Sequence, residues 1–169
     1  MFKSIPLRAI CAALTFSIAS PSDAQQAGYT VTTPSAVIEI GVSMAVTVTL
    51  GTPFSELSIA NPEIADISSL SETQLYLLGK TIGKTTLTVM REQQDVFDVT
   101  DYTIVVFREI TPLQTFLAGA APSVDLSRDG VTVTAKGCVD TPRAAAAAER
   151  VTRELETWGY VTLADIGAC

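Results

Sequence analysis

The sequence predicts an α+β protein: a small β-rich domain followed by an α-β-β-α-β domain. Three observations carry this. Between residues 36 and 107, apolar residues recur at every second position in short runs bounded by Gly, Pro, Asn and Ser, the spacing of half-buried strands. No long helical period interleaves with those runs, which argues against a parallel α/β sheet. After Arg108 the pattern changes, and two helical stripes are separated by a pair of strands and followed by one more.

The elements follow in order. Val37–Ile40 is a short strand and Gly41-Val42-Ser43 turns the chain. Met44 to Leu50 sets Met44, Val46, Val48 and Leu50 against Ala45, Thr47 and Thr49, and Gly51-Thr52-Pro53 ends that strand. Phe54–Leu70 mixes short apolar pieces around Leu57, Ile59, Ile64 and Ile67, interrupted at Asn61-Pro62 because the residue before proline avoids helical geometry. Thr73–Leu78 is a strand, Gly79–Gly83 a turn, and Thr85–Met90 alternates again. Arg91–Asp95 reads as a polar hairpin tip and Val96–Phe107 as a long strand, with an interruption or bulge at Asp101-Tyr102.

The second domain begins past a hinge at Arg108–Pro112. Thr111 is a candidate N-cap with Pro112 in the first turn, Leu113, Phe116 and Leu117 lie at helical spacing, and Gly119 stops the helix. Val124–Leu126 and Val131–Ala135 are strands joined by the turn Ser127-Arg128-Asp129-Gly130. The clearest helix starts at Asp140 or Thr141 with Pro142 and runs to about Thr157. Its apolar stripe is Ala144, Ala147, Ala148, Val151, Leu155 and Trp158. Gly159 ends it and Tyr160–Leu163 returns as a strand.

The first 24 residues read as a secretory signal. Lys3 and Arg8 precede an apolar run from Ala9 to Ala19, and Ser22-Asp23-Ala24 offers small residues for cleavage. That run is too short to anchor a bilayer. Ile10 is too large to precede a lipidated Cys11. Residues 25–35 form a polar leader with some order near Tyr29-Thr30-Val31. The domains then divide as 36–108 and 109–169. No later stretch is long and apolar enough to cross a membrane as a helix.

The 169 residues hold 11 basic and 18 acidic side chains, for a formal charge of −7. That balance argues against nucleic-acid binding and against adsorption to an anionic membrane. The chain has no histidine, which removes the usual proton shuttle, His-paired nucleophiles and His zinc sites. Asp98 with Asp101, and Asp125 with Asp129, are close in sequence but read as solvated strand ends and turns. Gly79-Lys80-Thr81-Ile82-Gly83-Lys84-Thr85 ends like a phosphate loop, but only three residues separate its glycines and a strand follows. The expectation is a protein that is not an enzyme and needs no cofactor or metal. Cys138 and Cys169 outlast the signal. An exported pair suits one disulfide, with two lone thiols or a bond between chains as the alternative.

Three separated segments carry a family resemblance. Ile59-Ala60-Asn61-Pro62-Glu63-Ile64-Ala65-Asp66-Ile67, then Leu75-Tyr76-Leu77-Leu78-Gly79-Lys80, then Gly83-Lys84-Thr85-Thr86-Leu87-Thr88-Val89 resemble the N-terminal periplasmic region of pilus-assembly secretins, in particular those of the Flp/Tad pilus. Glu39-Ile40-Gly41-Val42-Ser43 fits the start of that module. Val131-Thr132-Val133-Thr134-Ala135-Lys136-Gly137 and the alanine-rich helix after it resemble a BON domain. The sequence ends at Cys169 with nothing that resembles the secretin membrane barrel. The resemblance therefore implies a periplasmic accessory or structural protein of a Flp/Tad-like pilus or secretion system, at an outer-membrane complex. It would act by protein–protein interaction with secretin, pilin or inner-membrane assembly proteins, without stable membrane insertion. The candidate contact loops are Asn61, Pro62 and Glu63, and Gly79, Lys80, Gly83 and Lys84. A BON resemblance also allows an alternative, a protein that binds periplasmic lipid or the envelope surface.

Overall fold

The computed structural model describes residues 36–93 and 96–169. The signal at 1–24 and the leader at 25–35 lie outside the described residues. Ten strands and two helices appear among them, in two blocks: seven strands, then helix, two strands, helix, strand. The fold is α+β.

Strands β1 (Val37–Gly41), β2 (Ala45–Thr49), β3 (Glu56–Ile59), β4 (Ala65–Ser69), β5 (Gln74–Gly79), β6 (Gly83–Gln93) and β7 (Val96–Phe107) make two sheets, ordered β1-β7-β6-β3 and β2-β5-β4. Side chains from both sheets meet between them. Ile40, Leu87, Val89, Ile104 and Val106 come from one face, Ala65, Leu75 and Leu77 from the other, and all are almost fully buried. The period-two alternation of the sequence is thus the inward face of a sandwich. Phe54–Leu70 resolves into two strands, one in each sheet. Met44, expected on the buried side with Val46, Val48 and Leu50, is exposed, because it sits in the turn where Ser43 has φ 60.

The expected break at Asp101-Tyr102 does not occur. β6 and β7 pair without interruption from Gly83↔Val106 to Gln93↔Val96. Asp101 stays in the ladder because its carboxylate accepts a 2.7 Å hydrogen bond from the Thr88 hydroxyl directly opposite. The expected tip at Arg91 also moves, since Arg91, Glu92 and Gln93 are still paired. Arg91 is held by the Thr100 hydroxyl at 3.0 Å and by Asp98 at 3.4 Å.

The second block packs α1 (Thr111–Ala120) and α2 (Pro142–Trp158) on one face of a three-stranded sheet, ordered β10-β9-β8. β8 is Val124–Asp129, β9 Thr132–Val139 and β10 Val161–Ala168. Leu117, Val124, Leu126, Val133, Ala144, Val151, Leu155 and Tyr160 form its core. The stripe on α2 enters that core as its spacing requires, and the alanines let the helix lie close to the sheet. Thr141, rather than Asp140, caps α2, accepting from the Ala144 amide at 3.2 Å. Gly159 closes it at φ 103.

Three expectations change here. The cap of α1 is Ile110, with no side-chain hydrogen bond. Buried Ile110 anchors the chain, and its carbonyl accepts from Leu113 and Gln114, so burial replaces a polar cap. Gly119 does not stop α1, which runs to Ala120 before the Ala121 amide bonds back to Leu117. Finally, β9 and β10 are longer than their alternation suggests. They pair in parallel from Thr132↔Val161 to Val139↔Ala168. Tyr160, expected to begin β10, lies just before it and is buried.

Candidate interaction surface

The two loops singled out from sequence meet in space. The Asn61 carboxamide oxygen accepts from the Glu63 amide at 3.0 Å, which forms an Asx turn. The Asn61 amide donates to the Thr85 hydroxyl at 2.9 Å. From the other loop, Lys80 Nζ donates to the Pro62 carbonyl at 2.8 Å and the Thr81 hydroxyl donates to the Glu63 carbonyl at 2.8 Å. The Lys80 amide donates to the Ile64 carbonyl at 2.8 Å. Asn61, Pro62, Glu63 and Lys80 remain exposed on this joined patch. Lys84 is exposed as well, but it lies between Gly83 and Thr85 on β6, which face this loop, and so takes the opposite face of the sheet.

Two of the glycines are dictated by close packing. A Cβ on Gly79 would stand 2.6 Å from the Gly41 carbonyl oxygen, and one on Gly83 would stand 2.7 Å from Ile64 Cδ1. Gly83-Lys84-Thr85 opens strand β6, and Thr85 is buried. A strand and not a helix follows Gly83, so among the described residues the loop lacks the helix-terminal amide cradle of a phosphate site.

The same loop reaches the second block. Ile82 packs against the core around Leu155 and Tyr160, and it lies against Gly159. Tyr160 fastens the connection. Its hydroxyl accepts from the Arg108 amide at 2.8 Å and donates to the Arg108 carbonyl. Burial pushes the Tyr160 phenol pKa up, while its bond to the Arg108 backbone and the nearby Arg128 pull the other way. Arg108 itself lies 4.9 Å from the Trp158 ring centroid. On the far side, Arg128 donates to Glu39 at 3.1 Å and lies 4.2 Å from the Phe107 ring centroid. The hydrogen bond that Arg128 donates to Glu39 raises the Arg128 pKa, against the opposing effect of burial. Sequence reasoning found Arg108 as a hinge but had no signal for Tyr160, Ile82 or Arg128 as the groups that hold it.

Cys138 and Cys169 are joined in a disulfide, with Cα atoms 5.1 Å apart. The parallel register sets Gly167 beside Cys138, and the Cys169 amide donates to the Val139 carbonyl at 3.1 Å. The bond ties the end of β10 to β9. Asp125 and Asp129 are exposed, and Asp98 faces Arg91. Among the described residues, no three His, Cys, Asp or Glu side chains gather as a metal site. Among them too, no helix is long and apolar enough to cross a membrane.

Residues 34–107 match the family model described as pilus formation protein N terminal region. This span holds all seven strands of the sandwich and both loops. The matched family is a non-catalytic structural domain of pilus assembly. No curated protein is significantly similar in sequence. Among solved structures, domains 4 and 5 of the S-layer protein SbsC align with 46% of this chain at 18% identity and a TM-score of 0.35; the chain spans 51% of that structure. That likeness is too loose to carry an argument.

Proposed function

We propose that this protein is a periplasmic accessory or structural component of a Flp/Tad-like pilus or secretion system, acting by protein–protein contact. The observation that carries the reading is the family match over residues 34–107. In this reading residues 1–24 are removed on export, 36–108 form the secretin-like domain and 109–169 form a BON-like domain. The order helix, strand, strand, helix, strand over Thr111–Ala168 supports the second assignment. Its partners are secretin, pilin or inner-membrane assembly proteins at the outer-membrane complex.

The contact patch is the joined loop surface of Asn61, Pro62, Glu63 and Lys80, with exposed Lys84 on the other face of β6. Its geometry suits recognition because the loops brace each other and so hold exposed groups in fixed positions. Lys80 spends its ammonium on the Pro62 carbonyl, so Glu63 and Lys84 are the side chains best available to a partner. Gly79 and Gly83 contribute by allowing the close approach and not by touching the partner.

Photocrosslinkers at Glu63 and Lys84, introduced in the native cell, test this. The expected result is capture of a pilus or secretion component from both positions. Capture of none, together with normal appendage assembly after deletion of the gene, would overturn the assignment.

A further inference from the structure

The three sheets differ in how their edges are finished. β3 is four residues long and begins with Glu56, and β4 carries Asp66, Ser68 and Ser69. In the third sheet, the β8 edge is next to the first block, through the contact of Arg128 with Glu39. β10 is the opposite edge and pairs only with β9 among the described residues. It runs eight residues, Val-Thr-Leu-Ala-Asp-Ile-Gly-Ala, with one charge and no proline or lysine. An exposed strand of that length without such blocking residues is a template for another strand.

Both faces beside this edge carry apolar surface, with Asp165 the one charge of β10 on the outer face. On the outer face, Val161 and Leu163 are 56% and 55% exposed. On the helix face, a groove of about 420 Å³ lies between α2 and β10, floored by Ala145, Ala148, Ala164 and Ile166. Glu149 and Arg153, one turn apart on α2, stand on its rim. Among the described residues neither has an ion-pair partner. The third rim charge, Glu156, accepts from the Thr162 hydroxyl at 2.8 Å.

We propose that β10 pairs antiparallel with β10 of a second copy, making a six-stranded sheet across a two-fold axis. The chain itself fits this edge. Side-by-side antiparallel edges related by a two-fold axis normal to the sheet keep the helices on one side. Pairing centred on Leu163 sets Leu163 against its copy, and Val161 against Asp165 of the other copy. The same axis runs the two α2 helices antiparallel, so that Glu149 of each copy meets Arg153 of the other. A rim of one acid and one base a turn apart is complementary to its own two-fold image. The disulfide at the end of β10 holds the edge in register, and the surface lies outside the family-matched span, so this inference stands apart from the proposed function.

The oligomeric state of the exported protein, purified without reductant, tests it by sedimentation across a concentration series. The expected result is a reversible dimer. Leu163→Lys, at an exposed site, should weaken it by roughly tenfold or more, since two lysines then face each other. Glu149→Arg and Arg153→Glu should each weaken it, and the double exchange should restore it, which a merely structural role would not do. A monomer at every concentration, or an oligomer untouched by Leu163→Lys, would overturn the proposal. So would single charge changes that weaken association without rescue in the double variant.

Discussion

The two blocks reach a buried core by opposite means. Residues 37–107 use strands alone: two sheets face each other, and almost every large inward side chain is an aliphatic from a distant part of the chain. Residues 111–168 have one sheet of three strands, so helices must cover it, and they cover one face only. The first block is closed by its own second sheet. The second leaves an outer sheet face and a strand edge in solvent, and adds a covalent staple where its last strand ends. A small domain with one covered sheet face has less apolar burial to draw on, and a disulfide offsets that by restricting the unfolded chain.

This contrast can be broken by substitution. The largest effect should come from Leu77→Ala, at the centre of the sandwich, where Leu77 is fully buried. It should lower the stability of the first block by about 2–5 kcal/mol in chemical denaturation. If the second block unfolds at the same reduced midpoint, the two cores are one cooperative unit and the contrast is only architectural. Replacing both cysteines by serine should cost about 2–4 kcal/mol, read as earlier hydrogen exchange in β9 and β10 with β2 and β5 unchanged. Equal loss in both blocks would mean that the staple serves the whole molecule.

Smaller effects sharpen the boundary. Thr141→Ala removes the side-chain cap of α2 and should cost about 1 kcal/mol, measured as a lower thermal midpoint. Tyr160 tests the junction by pH. Its folded pKa is raised by burial, so its contribution is complete below the unfolded value of about 10 and is lost as pH rises through the folded one. Denaturation at rising alkaline pH should show this loss in the native protein and a flatter profile in Tyr160→Phe. An identical profile would remove the phenol from the account.

Much of the fold was legible because it is written locally. Alternation marked β2, β5, β6 and β7, and the Thr141-Pro142 start and Gly159 stop marked α2. What was hidden depends on partners. Ala164–Ala168 has little strand character of its own, and it is extended because β9 lies beside it in parallel register. Ile110 caps α1 through burial, which no polar motif announces. The candidate loops were visible as turn chemistry, but their mutual bracing was not. Lys80 and Pro62 are brought together by the pairing of β4 with β5, a tertiary event.

The first strand of the sandwich has a consequence for the order of folding. β1 finds its partner in β7, with Val37 beside Thr103 and Gly41 beside Phe107. Any chain delivered amino end first must hold β1 unpaired until β7 has emerged, while the β6–β7 hairpin forms from neighbours. β1 is then the closing piece of the sandwich, and Glu39 on it meets Arg128 of the second block. Completion of the first block thus also sets the Glu39–Arg128 contact with the second, beside the contacts that Ile82 and Tyr160 make independently of β1.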